Sequence, residues 1–86
     1  MKELQKIKEI ILNIAKEMNI EIDKIILFGS RARGDYREDS DYDLLIITKE
    51  KLEKEKKIEF SKKIHLEILH LIHVPVDILI IDVRTF

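Results

Sequence analysis

Three aspartates and a Gly-Ser pair are the residues of this 86-residue chain whose types and spacing suit catalysis. Asp41 and Asp43 stand two apart at the head of the apolar run Leu44-Leu45-Ile46-Ile47. Asp77 is the second residue of a later apolar run that opens at Val76, just after Pro75. Gly29-Ser30 ends a third run, Ile25-Ile26-Leu27-Phe28, and ten residues separate Ser30 from Asp41. Carboxylates gathered in one place repel each other and call for a cation, and their hard oxygens suit Mg²⁺ or Mn²⁺. Mg²⁺ usually takes only one or two protein carboxylates and completes its shell with water and phosphate oxygens, so such a cluster implies a phosphate-bearing substrate. A Gly-Ser turn that opens a helix offers backbone N–H groups to phosphates, and Arg31 and Arg33 would add positive charge. Together these parts describe metal-assisted phosphoryl or nucleotidyl transfer.

The elements that must position these residues can be read in turn. Leu4, Ile7, Ile11, Ile14 and Met18 recur at three- and four-residue steps, which predicts an amphipathic helix over 2–18 that stops at Asn19. Residues 24–28 read as a strand, apolar on both faces as a central strand requires. Gly29 turns the chain, and Ser30 would cap a short helix over 31–36 that ends near Gly34 or Asp35. Residues 41–48 form the second strand. A long helix is expected from Lys49 to about Leu71, capped by Thr48. Its buried stripe would be Phe60, Ile64, Ile68 and Leu71, widened by Leu66, Leu69 and Ile72. Pro75 ends that segment, and residues 76–83 form the third strand.

This order brings the carboxylates together. A hairpin-like return makes strands one and two antiparallel neighbours, so Ser30 lies beside Asp41. Asp41 and Asp43, two apart on a strand, point to one face. The long helix carries the chain back, so strand three runs parallel to strand two and starts at the same end of the sheet, with Asp77 near that start.

Composition narrows the alternatives. The chain has a formal charge of -1, with 45% hydrophobic and 38% charged residues, which predicts one folded domain over 1–86 and no basic field for direct nucleic-acid binding. It has no cysteine, which excludes disulfides and thiolate metal sites. No apolar run reaches membrane-spanning length and the first residues lack a signal-peptide core, so the cytoplasm is the expected compartment.

Gly-Ser, a ten-residue spacer and Asp-x-Asp, flanked by two apolar strands, resembles the signature of the nucleotidyltransferases related to DNA polymerase beta. The short chain looks most like their minimal nucleotidyltransferase (MNT) family, often the antitoxin half of HEPN/MNT pairs. The resemblance implies an α/β (α+β) nucleotidyltransferase fold, with a three- or four-stranded mixed sheet and helices packed against it. It implies that Asp41, Asp43 and Asp77 are catalytic and hold two Mg²⁺ (or Mn²⁺) ions, with Gly29 and Ser30 on the triphosphate. For MNT antitoxins it implies AMP transfer from ATP to a hydroxyl, expected to be a tyrosine, of a partner HEPN toxin. Two other functions remain open: an antitoxin that neutralises its partner by binding alone, and a nucleotidyltransferase acting on a small molecule. Homo- or hetero-oligomers are both compatible with so small a domain.

Other residues have plainer readings. His65, His70 and His73 match no metal-binding spacing and read as ordinary helix or helix-end histidines. Tyr36 and Tyr42 flank the signature and read as packing residues. Asp35, Glu38 and Asp39 read as loop residues, and Asp82 as an exposed strand end.

Overall fold

The computed structural model describes residues 2–29, 34, 42–72 and 75–84. Along these residues the order is helix α1 (Lys2–Glu17), strand β1 (Ile22–Phe28), strand β2 (Tyr42–Thr48), helix α2 (Lys54–Leu71) and strand β3 (Val76–Asp82). The short helix expected over 31–36 lies outside the described residues.

α1 buries Ile7, Ile10, Ile11, Ile14 and Ala15. It stops where the sequence indicates. Asn19 takes a left-handed φ of 57°. The Asn19 N–H donates to the Lys16 carbonyl (3.3 Å) and the Ile20 N–H to the Ala15 carbonyl (2.8 Å). This is a Schellman cap with asparagine in the usual glycine position, and its flanking Ile20 and Ala15 are both in the core.

The sheet has the order β1-β2-β3. β1 and β2 are antiparallel, and β2 and β3 are parallel across the α2 crossover. Its centre is therefore β2, which carries no exposed residue. Among the described residues β1 is an edge strand, contrary to the central place expected from its apolar content, and its exposed positions include Asp23, Lys24 and Phe28. The register shifts between Ile22 and Lys24, which places an irregularity at Asp23.

One face of the sheet meets both helices. Tyr42, Leu44 and Ile46 of β2 and Ile80 of β3 join Ile7, Ile10, Ile11 and Ile14 of α1 and Phe60, Ile64 and Ile68 of α2 in a single cluster. Each large aliphatic side chain so buried contributes about 1.5–3 kcal/mol.

α2 departs from expectation at both ends. It begins at Lys54, and its N-cap Glu53 makes no side-chain cap. Thr48 stays in the sheet instead, because the Lys49 N–H still donates to the Glu21 carbonyl (3.0 Å) and holds the chain extended. The Thr48 hydroxyl donates to the Glu50 carbonyl at 2.7 Å, and the Ile81 carbonyl stands 3.3 Å away. Leu66, Leu69 and Leu71, expected to be buried, are exposed. At 100° per residue, Leu66 lies about 200° round the helix from Ile64, and Leu69 about 100° from Ile68. Only the narrow Phe60-Ile64-Ile68 line, with Ile72 at its margin, faces the core. Among the described residues, no helix is long and apolar enough to cross a membrane.

Candidate active site

The sheet pairing builds the site from one row. Phe28 of β1 pairs with Asp43 of β2, and Asp43 pairs with Asp77 of β3. Paired residues share a face, so the two carboxylates stand side by side at a strand spacing of about 4.8 Å. They lie on the face away from the helices. Tyr42, one residue before Asp43, points the opposite way and is buried, which fixes the alternation. The Tyr42 hydroxyl donates to Glu3 Oε1 at 2.6 Å and so ties the start of β2 to α1.

Gly29 follows Phe28 with φ +78°, a conformation that side-chain-bearing residues rarely adopt. The space beside it is occupied by Asp43. A Cβ added at Gly29 would overlap Asp43 Oδ2, and would lie 3.0 Å from the Asp43 Cγ and 3.3 Å from its Cβ. The sequence suggested a glycine that lets a ligand approach the backbone. The structure shows in addition that it lets the Asp43 carboxylate approach.

Asp43 is half-buried and Asp77 is exposed. Asp41, Ser30, Arg31 and Arg33 lie outside the described residues. Gly34 is an exposed turn residue with φ +85° and open space around it. Two register-paired carboxylates offer hard oxygen donors of the kind a divalent cation of the magnesium class takes. No group of three potential metal ligands occurs among the described residues, with Asp41 outside them.

The remaining ionisable residues sort differently from one another. His65, on the side of α2 nearest β3, brings Nδ1 to 2.8 Å from the Ser61 carbonyl and Nε2 to 3.1 Å from the Val76 carbonyl. It thereby links α2 to the residue before Asp77. Its helical spacing alone gave no hint of this, because the Val76 carbonyl is a tertiary partner. His70 and Glu67 are exposed, and His73 lies outside the described residues. Asp82, expected to be exposed, is buried to 9% exposure, and its Oδ1 accepts from the Arg84 N–H at 2.9 Å. It sits on the helix side of the sheet, in the same row as Thr48.

Comparison with known proteins agrees with this geometry. A profile of the family described as "Polymerase beta, Nucleotidyltransferase" matches residues 5–85. Three proteins of Methanocaldococcus jannaschii, each named "Putative protein adenylyltransferase", are similar to the chain. The first is 41% identical over 70 residues, covering 78% of this chain and 71% of the relative. The second is 51% identical over 47 residues, covering 55% of this chain and 47% of the relative. The third is 44% identical over 48 residues, covering 54% and 56%. The matches thus span about half the length of the latter two relatives. The family match takes in all three strands of the sheet and its paired carboxylates. The chain belongs to the polymerase beta-like nucleotidyltransferase family, as one of its minimal members, and is a nucleotidyltransferase.

Proposed function

We propose that the chain is a metal-dependent protein adenylyltransferase that moves AMP from ATP to a side-chain hydroxyl of another protein. The observation that carries this is the Asp43–Asp77 row, with Gly29 folded against Asp43. Asp43, Asp77 and Asp41 would hold two Mg²⁺ or Mn²⁺ ions. Such ions, when bound, neutralise charge on the triphosphate and favour loss of the hydroxyl proton. Gly29, Ser30, Arg31 and Arg33 would bind the phosphates. The acceptor oxygen forms a bond to the α-phosphorus, the bond between that phosphorus and the β-phosphate bridging oxygen breaks, and pyrophosphate leaves with the electron pair. The hydroxyl proton passes to a carboxylate or to water.

The names of the relatives support a protein as acceptor. The resemblance to MNT antitoxins supports a tyrosine on a HEPN-domain toxin, an antitoxin role and a cytoplasmic setting. Incubating such a toxin with this protein, ATP and Mg²⁺ tests the reading by mass spectrometry. A gain of adenylyl mass, lost on chelation and in the Asp43→Asn variant, is the expected result. A stable complex without mass gain would replace it with neutralisation by binding alone. Transfer to a small hydroxyl compound, with the protein untouched, would reassign the acceptor.

A further inference from the structure

Among the described residues β3 is an edge strand, and its backbone leaves that edge usable. The order β1-β2-β3 gives its outer side no strand neighbour among the described residues. Along a parallel strand, successive residues turn their backbone groups to opposite sides. The Pro75 carbonyl accepts from the Tyr42 N–H (3.1 Å), and the Val83 N–H donates to the Thr48 carbonyl (2.9 Å), so the odd-numbered residues serve β2. Val76, Ile78 and Ile80 therefore turn their backbone groups outward. The Val76 carbonyl already has His65 Nε2 3.1 Å away. Among the described residues the N–H and C=O groups of Ile78 and Ile80 remain, enough for a short extended segment.

Edges of this kind are usually blunted by lysine, proline or a bulge, because they invite pairing. Here the strand interior reads Ile78-Leu79-Ile80-Ile81, with none of these devices. Leu79, next to the carboxylate row on the same face, is 56% exposed. A strand added at this edge would lie about 4.8 Å from β3, with alternate side chains on the face of Asp77 and Leu79. A hydroxyl carried opposite Asp77 would stand beside the carboxylate row.

We propose that the outer edge of β3 docks the acceptor: an extended polypeptide segment adds to the sheet as a further strand and presents its hydroxyl to the Asp43–Asp77 row. This rests on the reading of the chain as a protein adenylyltransferase. Recognition comes from backbone hydrogen bonds, and the exposed Leu79 favours an apolar residue on the segment.

The test uses amide hydrogen exchange read by NMR. The probe is a short blocked peptide that alternates valine with threonine and carries one tyrosine, at millimolar concentration. Exchange at the Ile78 and Ile80 amides should slow about tenfold or more, with little change at Leu79 and Ile81, which already serve β2. The same peptide N-methylated at alternate amides should give no slowing, and Leu79→Lys should weaken the effect. No slowing at Ile78 and Ile80, or equal slowing by the methylated peptide, overturns the docking edge. Titration of the protein with ATP and Mg²⁺, without peptide, judges the enzyme separately. If nucleotide fails to bind while the amides are protected, the edge binds peptides but is not an acceptor site. If AMP reaches the peptide while the amides stay unprotected, the enzyme stands and the edge falls.

Discussion

Gly29 and Asp43 are fitted to each other: the carboxylate of the second lies where a side chain on the first would begin, and any Cβ at Gly29 would overlap that carboxylate. The glycine is thus held by two independent requirements, its φ of +78° and its neighbour. Gly29→Ala should lose about 1–2 kcal/mol of stability from φ alone, and should also displace the Asp43 side chain. Gly34→Ala meets the same backbone penalty in open space, and should lower the melting temperature while sparing nucleotidyl transfer. Comparing Tm and activity in the two variants separates strain from displacement.

Asp43→Asn and Asp77→Asn keep side-chain shape and remove charge from the row. Both should fold, since one residue is exposed and the other half-buried. Transfer should fall by about 100-fold or more in each, about 2.7 kcal/mol of barrier. Single-turnover AMP transfer with excess Mg²⁺ measures this, and circular dichroism verifies the fold. Activity retained in both variants would refute the assignment of this row.

Chelation makes a distinct prediction. Treatment with EDTA should abolish transfer but leave the melting temperature close to its starting value, because the core lies on the other side of the sheet. Mg²⁺ or Mn²⁺ should restore activity. A large fall in Tm on chelation would mean that the metal is part of the fold.

α2 offers a contrast between positions two residues apart. Ile64 is fully buried and Leu66 is 68% exposed. Ile64→Ala should cost about 2–5 kcal/mol, and Leu66→Ala no more than about 0.5 kcal/mol. Urea unfolding with a shared m-value reads both.

Tyr42→Phe removes the hydroxyl that donates to Glu3 Oε1 but keeps the buried ring. Glu3 is only partly buried and can turn to water, so the loss should be about 1 kcal/mol. Tyr42→Ala should cost several-fold more, because it also empties space in the core. Thermal unfolding of the two variants distinguishes the bond from the packing.

Much of this architecture was legible because local signals and tertiary needs agreed. The stripe of α1, the stop at Asn19 and the parallel return of β3 follow from spacing, a left-handed cap residue and the length of the crossover. That Asp77 comes to the same end of the sheet as Asp43 followed from connectivity, and the structure adds their direct pairing. Other features depend on information that no local window contains. Strand β1 looks central because it is apolar, yet its edge position is set by which strand β3 chooses as neighbour. Thr48 is a good cap by type, but the ladder bond from Lys49 to Glu21 keeps it in the sheet. Leu66 and Leu69 look like core by hydrophobicity and are excluded by angle. The contact between Gly29 and Asp43 joins the residue just after β1 to one on β2, and neither residue alone announces it.

The row Phe28–Asp43–Asp77 takes one residue from each strand. The second of its links closes only after the chain has returned through α2, and non-local pairing of this kind forms late. A nascent chain therefore has no assembled carboxylate pair until Asp77 has emerged and docked. On the function proposed above, catalytic competence would arrive with the completed sheet and disappear with its first global opening. Nucleotide turnover would thus serve as a sensitive reporter of the folded fraction.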